Sequence, residues 1–395
     1  MRVGIDLRWL QRAYHNSPEG ALGGMGVVLE NLWRGLAEVA PPNVALVGLL
    51  ERGAVPASLA AVLAGTPRAE THPIGLLGLC PPLDRRRKYA NLINLIETEW
   101  ALEPMLRRLR LDILHMADQH APPPRGARCP TVATLHAFFG DSRPGWLLHR
   151  HLLDRIGDAT CVVAVSEAVA ADYGCHYNRK GAMVRTIHNG IDLAVFRPSP
   201  DTDTDHQARA NLPSEYLLHV GVLVAHKNPH GIVAALARLR RERSVPTFVS
   251  VGPYQAIPGA KEHVLALAAQ AGLADALIIL DRGLPPRGMA SLYRGAHGLI
   301  FPSLTEGFGL PVIESLACGT PCVVTGVGGL VEVAGDLGLV VDGRDPCSIA
   351  TGIARLLDDE THRQRVRSEG PHWAERFSYQ AMARRYLALY AELAR

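Results

Sequence analysis

Glu306-Gly307-Phe308-Gly309-Leu310-Pro311-Val312-Ile313-Glu314 is the stretch on which the reading of this chain turns. Just before it, Phe301-Pro302-Ser303 closes an apolar run with the composition of a strand. Pro311 suits the first helical position, where no backbone donor is needed. The amides around Gly309 and Leu310 then point beyond the strand end without partners, which is how helix N-termini hold phosphate. Glu314 falls about one turn into that helix, and Glu306 lies in the loop across the same mouth. Carboxylates repel phosphate but accept hydrogen bonds from sugar hydroxyls. The pattern points to a ligand with phosphate at its centre and hydroxyl-rich rings at its ends, a nucleotide sugar.

Outward from this stretch, short Val/Ile/Leu runs alternate with helical patterns along the whole chain, the mark of parallel sheets covered on both faces. In the first half, strands are expected at Val3–Asp6, Ala45–Leu49, Ile113–His115, Thr131–Leu135, Cys161–Val165 and Met183–His188. In the second half they are expected at Tyr216–Gly221, Thr247–Gly252, Leu277–Leu280, Gly298–Phe301, Pro321–Thr325 and Gly338–Val341. A polar, proline-rich stretch separates the two series. The expected organisation is a first doubly wound, Rossmann-like domain over 1–197, a linker over 198–214 and a second such domain over 215–375. A last helix over 376–395 is amphipathic and is expected to pack back on the first domain. Ligands of such sheets bind beyond the carboxyl ends of the strands, so two facing domains would enclose an interdomain cleft.

Composition narrows the partners. A formal charge of +3 over 395 residues is too weak to argue for nucleic acid. Seven cysteines without a Cys-x-x-Cys pair read as neither a disulfide framework nor a zinc site. The chain opens on a strand-like run, so no signal peptide is expected, and no apolar run has transmembrane length. A cytoplasmic protein is expected, with a candidate peripheral membrane contact at Leu76–Lys88, where an apolar loop adjoins Arg85-Arg86-Arg87-Lys88. His149-Arg150-His151 does not read as a metal pair, because residues two apart on a helix diverge. Asp201-Thr202-Asp203-Thr204-Asp205 sits in the linker and reads as solvating.

With these residues in view, the chain resembles the retaining glycosyltransferases of family 4, which have the GT-B fold. The resemblance rests on the paired glutamates with Gly-Phe-Gly-Leu-Pro between them, then on Ala317-Cys318-Gly319-Thr320-Pro321. Asn189-Gly190-Ile191-Asp192, Lys227-Asn228, Val163-Ala164-Val165-Ser166-Glu167 and the Gly23-Gly24-Met25-Gly26 loop support it. It implies that Glu314 binds the donor ribose, that Glu306 contacts donor-sugar hydroxyls, and that Lys227 neutralises the diphosphate. The amides of Phe308, Gly309 and Leu310 would share that last task. His136 matches the active-site histidine of the first domain, and Gly24 the loop that approaches the diphosphate. The family's Asp after that histidine is Ala137 here. The positions where its diphosphate arginine stands hold Val222 and His226, so Lys227 holds the diphosphate with less help, or His226 contributes a hydrogen bond, or an arginine elsewhere substitutes, Arg282 being one candidate.

The resemblance implies transfer of a sugar from a nucleotide-diphosphate donor to a hydroxyl acceptor, whether glycan, lipid-linked or small molecule. Retention of configuration by a same-face mechanism, with no metal and no cofactor beyond the donor, goes with it. The alternatives are a nucleotide-sugar epimerase or a sugar phosphorylase on the same fold, or a non-catalytic sugar-binding member.

Overall fold

A computed structural model of the chain describes residues 1–17, 22–51, 53–66, 69–74, 102–136, 146–178, 180–199 and 212–395. The membrane-contact segment Leu76–Lys88, Ala137, and the Asp201–Asp205 run lie outside the described residues, as does the side chain of His149. Among the described residues no helix is long and apolar enough to cross a membrane.

The chain divides into two compact units, Met1–Gly190 with Tyr379–Arg395, and Ile191–Ser378. The first is built on a parallel sheet of β1 (Arg2–Asp6), β2 (Ala45–Glu51), β3 (Ala69–Ile74), β4 (Ile113–Met116), β5 (Thr131–Leu135), β6 (Cys161–Ala164) and β7 (Met183–Thr186). Their order across the sheet is β3-β2-β1-β4-β5-β6-β7. The series reverses direction between β1 and β4, which makes that junction the topological switch point. Sequence periodicity finds six of these strands and misses β3. Its segment Ala-Glu-Thr-His-Pro-Ile lacks alternation and carries Pro73, which a sheet tolerates only at an edge. At the edge beside β2 is where it lies.

The second unit holds β8 (Tyr216–Val220), β9 (Thr247–Gly252), β10 (Leu277–Asp281), β11 (Gly298–Phe301), β12 (Cys322–Thr325) and β13 (Gly338–Val341). Their order is β10-β9-β8-β11-β12-β13, so the switch point falls between β8 and β11. Both sheets are parallel throughout. β4, β5, β6, β11 and β12 are buried at every position, as expected of strands covered on both faces.

The division falls at Gly190/Ile191 and Ser378/Tyr379, rather than at the 197/198 and 375/376 boundaries that the proline-rich composition indicates. The reason is a backbone contact that composition does not report. Ile191 N donates to Phe377 O at 2.8 Å, and Ile191 bridges Ser378. Phe196 is buried, with its ring against Tyr293, so 191–199 already belongs to the second unit.

The helix Tyr379–Leu393 belongs to the first unit. It crosses the helix Gly24–Val39 so closely that a Cβ on Gly35 would lie 2.7 Å from the Tyr379 carbonyl oxygen. Its buried Tyr390 hydroxyl meets His115 Nδ1 at 2.7 Å, and Tyr386 meets Thr134 Oγ1 at 3.0 Å. His115 Nε2 closes the chain on Thr134 Oγ1 at 2.7 Å. Burial pushes His115 down to about 3, with the charge of His136 adding to it. The imidazole is therefore neutral and serves as a structural hydrogen-bonding link between β4 and the last helix.

Candidate active site

Two chain segments leave the carboxyl ends of β8 and β11 on either side of the second switch point. From β8, Gly221 (φ +111°) turns the chain and a short 3-10 turn, Ala225–Lys227, follows. Asn228 then adopts a left-handed conformation and caps the helix Pro229–Glu242, its Oδ1 accepting from Gly231 N at 3.1 Å. Its Nδ2 donates to Pro302 O at 3.1 Å and to Gly343 O at 2.7 Å. This one buried side chain thus ties the loops after β8, β11 and β13 together and fixes the position of Lys227.

From β11, the chain runs through Glu306 to Gly309 (φ +99°), the residue before the helix Leu310–Ala317. Pro311 stands at the second position of this helix rather than the first. Gly309 provides no side-chain cap, and the first amides of a helix have no intrahelical acceptor. The helix dipole adds partial positive charge at the same point. Gly328 (φ +55°) packs against the Glu306 backbone, where a Cβ would fall 1.6 Å from the Glu306 carbonyl oxygen. Gly328 is therefore the floor of the Glu306 loop, and it must be glycine because two backbones meet there.

Lys227 Nζ donates to Glu306 Oε2 at 2.5 Å. The same ammonium lies 4.4 Å from the centre of the Phe301 ring, a cation–π distance. The pair is mostly but not wholly covered, with side-chain exposures of 16% and 20%. Each charge satisfies the other, and both remain within reach of solvent and of a ligand.

Glu314 lies inside that helix and is buried. The Tyr293 hydroxyl donates to its Oε2 at 2.7 Å. Burial raises the Glu314 carboxyl to about 7, and the Tyr293 hydrogen bond opposes that rise without cancelling it. Burial, together with the nearby Glu314 charge, also pushes the Tyr293 phenol well above its ordinary range. Tyr293 remains the donor in the pair.

Val222 follows the Gly221 turn. The carbonyl of His226 accepts from Leu304 N at 2.8 Å, a second tie between the two loops. Arg282 is exposed just past β10, two strands from β8, and makes no ion pair among the described residues. Of the residues read from sequence, Lys227, Glu306, Phe308, Gly309 and Leu310 share the mouth of one switch point, with Glu314 beneath it.

In the first unit, His136 follows β5. Its backbone N donates to Gln119 Oε1 at 2.8 Å, and its Nε2 lies 2.9 Å from Ala117 O. A nitrogen facing a carbonyl must carry the proton, so Nε2 is the donor and Nδ1 is left as the acceptor. Burial lowers the His136 pKa, outweighing the Ala117 and Asp118 contacts. Gly24 is exposed at the start of the helix Gly24–Val39.

Sequence reading names Asn228 only beside Lys227, without its capping role, and misses Tyr293, Gly328 and the Asp118-Gln119-His120 loop. Asn228-Pro229 is a legible helix-start signal, so the Asn228 cap could have been found. Tyr293 lies 21 residues from Glu314, and nothing local marks it.

Comparison with known proteins agrees with this architecture. The model described as Glycosyl transferases group 1 matches residues 201–373, and that described as Glycosyltransferase Family 4 matches residues 22–195. The chain belongs to the family 4 glycosyltransferases. A D-inositol 3-phosphate glycosyltransferase of Corynebacterium efficiens is 32% identical over 282 residues, 67% of this chain and 66% of that protein. Another, from Acidothermus cellulolyticus, is 34% identical over 250 residues, 60% of this chain and 55% of that protein. The chain thus spans between about half and two-thirds of the length of these family members. They are transferases and not epimerases, and they lend the epimerase alternative no support.

Solved structures share the GT-B fold over the full length. Sucrose-phosphate synthase from Thermosynechococcus elongatus superposes with a TM-score of 0.74 at 20% identity, covering 100% of this chain and 99% of that one. The Anabaena protein HepE, solved in complex with UDP and glucose, gives 0.72 at 17% identity, with complete coverage of both chains.

Proposed function

We propose that this family member transfers a sugar from a nucleoside diphosphate sugar to a hydroxyl acceptor, with retention at the anomeric carbon. The observation that carries the reading is the Lys227–Glu306 pair astride the β8/β11 switch point, with an uncapped helix N-terminus at the end of the Glu306 loop and Glu314 inside that helix.

The donor diphosphate takes the place of the Glu306 carboxylate beside Lys227, and the amides of Phe308, Gly309 and Leu310 bind its oxygens. Released from the lysine, Glu306 accepts hydrogen bonds from hydroxyls of the donor sugar. Glu314 accepts from the ribose hydroxyls. In the reaction, the bond between the anomeric carbon and the diphosphate oxygen breaks. The acceptor oxygen bonds to the same face of that carbon, and its proton passes to the departing phosphate oxygen. Lys227 and the helix amides stabilise the charge that grows on the leaving group. That charge is the ground for proposing transfer without a metal ion. Val222 and His226 occupy the two positions where the resemblance would place a second cation.

UDP-glucose is the first donor to test, since HepE has been solved in complex with it. D-inositol 3-phosphate, the substrate in the relatives' name, is the first acceptor. Thermal-shift measurements across UDP-, GDP-, ADP- and TDP-sugars should raise the melting temperature for at least one donor. Glu306→Gln and Lys227→Ala should each lower transfer by a hundredfold or more, about 2.7 kcal/mol of transition-state stabilisation. Near wild-type turnover in both variants would sink the assignment.

A further inference from the structure

The first sheet has its own switch point, between β1 and β4, and side chains gather there that the proposed donor chemistry does not use. Trp9 enters from the helix Arg8–Asn16, just past β1. Asp118, Gln119 and His120 follow β4. The half-buried Trp9 ring stacks with the His120 ring, their centres 6.0 Å apart and planes at 23°. Asp118 is 4% exposed, and its Oδ1 accepts from both His120 N, at 2.9 Å, and His120 Nδ1, at 2.8 Å. Gln119 ties the same loop to the end of β5 by accepting from His136 N.

This arrangement fixes one chemical property. With Nδ1 committed to the carboxylate, the proton sits there and Nε2 is turned away from Asp118. Nε2 makes no hydrogen bond among the described residues, and the ring retains 19% of its exposure. Burying a carboxylate is costly unless a partner compensates it, so the pair orients His120 firmly. Burial acts to lower the His120 pKa, yet Asp118 raises it overall. Asp118, which burial would push up, ends below the ordinary carboxylate range through His120. The coupling therefore outweighs desolvation on both partners.

An apolar aromatic wall beside one aimed hydrogen-bonding group suits a small hydroxylated ring. The second unit places Lys227 and Glu306 at the equivalent junction of its own sheet.

We propose that His120, oriented by Asp118 and walled by Trp9, binds a hydroxyl of the sugar acceptor through Nε2. This assignment rests on the transferase reading, with the first unit holding the acceptor. It adds the residue that selects it.

The test is calorimetric titration of the full chain, with and without UDP, using D-inositol 3-phosphate, myo-inositol and glucose as probes. At least one probe should bind the wild-type chain. His120→Ala and Asp118→Asn should each weaken that binding tenfold or more, while His120→Gln, whose amide still reaches a hydroxyl, should keep within threefold. UDP affinity and melting temperature should stay at wild-type values in the His120→Gln chain. Failure of all three probes to bind, or unchanged affinity in His120→Ala, overturns the proposal. Failure of the wild-type chain to bind any nucleotide overturns the donor reading instead, so the two outcomes are separable.

Discussion

Glu314 shows how far the environment of one residue changes its chemistry. A helix-start glutamate is ordinarily ionised near pH 4.5, and here burial holds its pKa at about 7. Between those values the native chain keeps a proton that the unfolded chain has released, so this group's contribution to stability is complete below about pH 4.5. It falls as pH rises towards 7 and is flat above. Each pH step of one between the two values is worth about 1.36 kcal/mol, so the whole change is on the order of 3 kcal/mol. Urea unfolding at pH 5 and pH 8 should show it, and Glu314→Gln should flatten that dependence. In the proposed donor site, ribose hydroxyls donate to the ionised carboxylate, so UDP-glucose affinity should rise as pH increases through 7 and then level off. Calorimetric titration from pH 5.5 to 8.5 checks this, because the donor's own diphosphate does not titrate there. A profile unchanged in Glu314→Gln would mean that Glu314 is not the ribose anchor.

Elements are held by contacts that their own sequences only half announce. The amphipathic face of the helix Tyr379–Leu393 is legible at helical spacing, since Met382, Tyr386, Leu389 and Tyr390 recur along it and are all buried. Its partner is not legible. Gly35 looks like a weak point inside the helix Gly24–Val39 until the crossing is seen, where its missing side chain makes room for the Tyr379 carbonyl and the Ala383 methyl. Gly35→Val improves local packing volume in isolation but forces the two helices apart. Overpacking of this kind costs about 1–3 kcal/mol, and denaturant unfolding should show a loss in that range. Stability equal to wild type would mean that the crossing yields freely.

For the whole molecule, the division into units has a consequence for truncation. The second unit, Ile191–Ser378, is one continuous segment and contains Lys227, Glu306, Glu314, Asn228, Tyr293 and Gly328. The first unit is discontinuous and needs the last helix, whose Tyr390 and Tyr386 complete the His115 network. A fragment comprising 191–378 should fold and bind UDP within about tenfold of the full chain's affinity. A chain ending at Ser378 should lose cooperative unfolding of the first unit. Circular dichroism and nucleotide titration of both would decide it. A 191–378 fragment that folds yet ignores every nucleotide bound by the full chain would show that the donor site is incomplete there.

The sequence by itself determined the two parallel sheets, because strands buried on both faces must be written as unbroken Val/Ile/Leu runs. It also determined the paired-glutamate loop, whose glycines, proline and carboxylates lie within nine consecutive residues. Only the tertiary structure decided what lies across from them. Asn228 spans three loops, Tyr293 reaches Glu314, Gly328 underlies Glu306, and Trp9 stacks on His120. It also decided where one unit yields to the next, since the Ile191–Phe377 hydrogen bond joins residues 186 apart. The physical reason is common to all of these. Periodicity and caps are local constraints and leave a local trace, whereas a contact between distant segments is selected by packing and hydrogen bonding after the chain has folded.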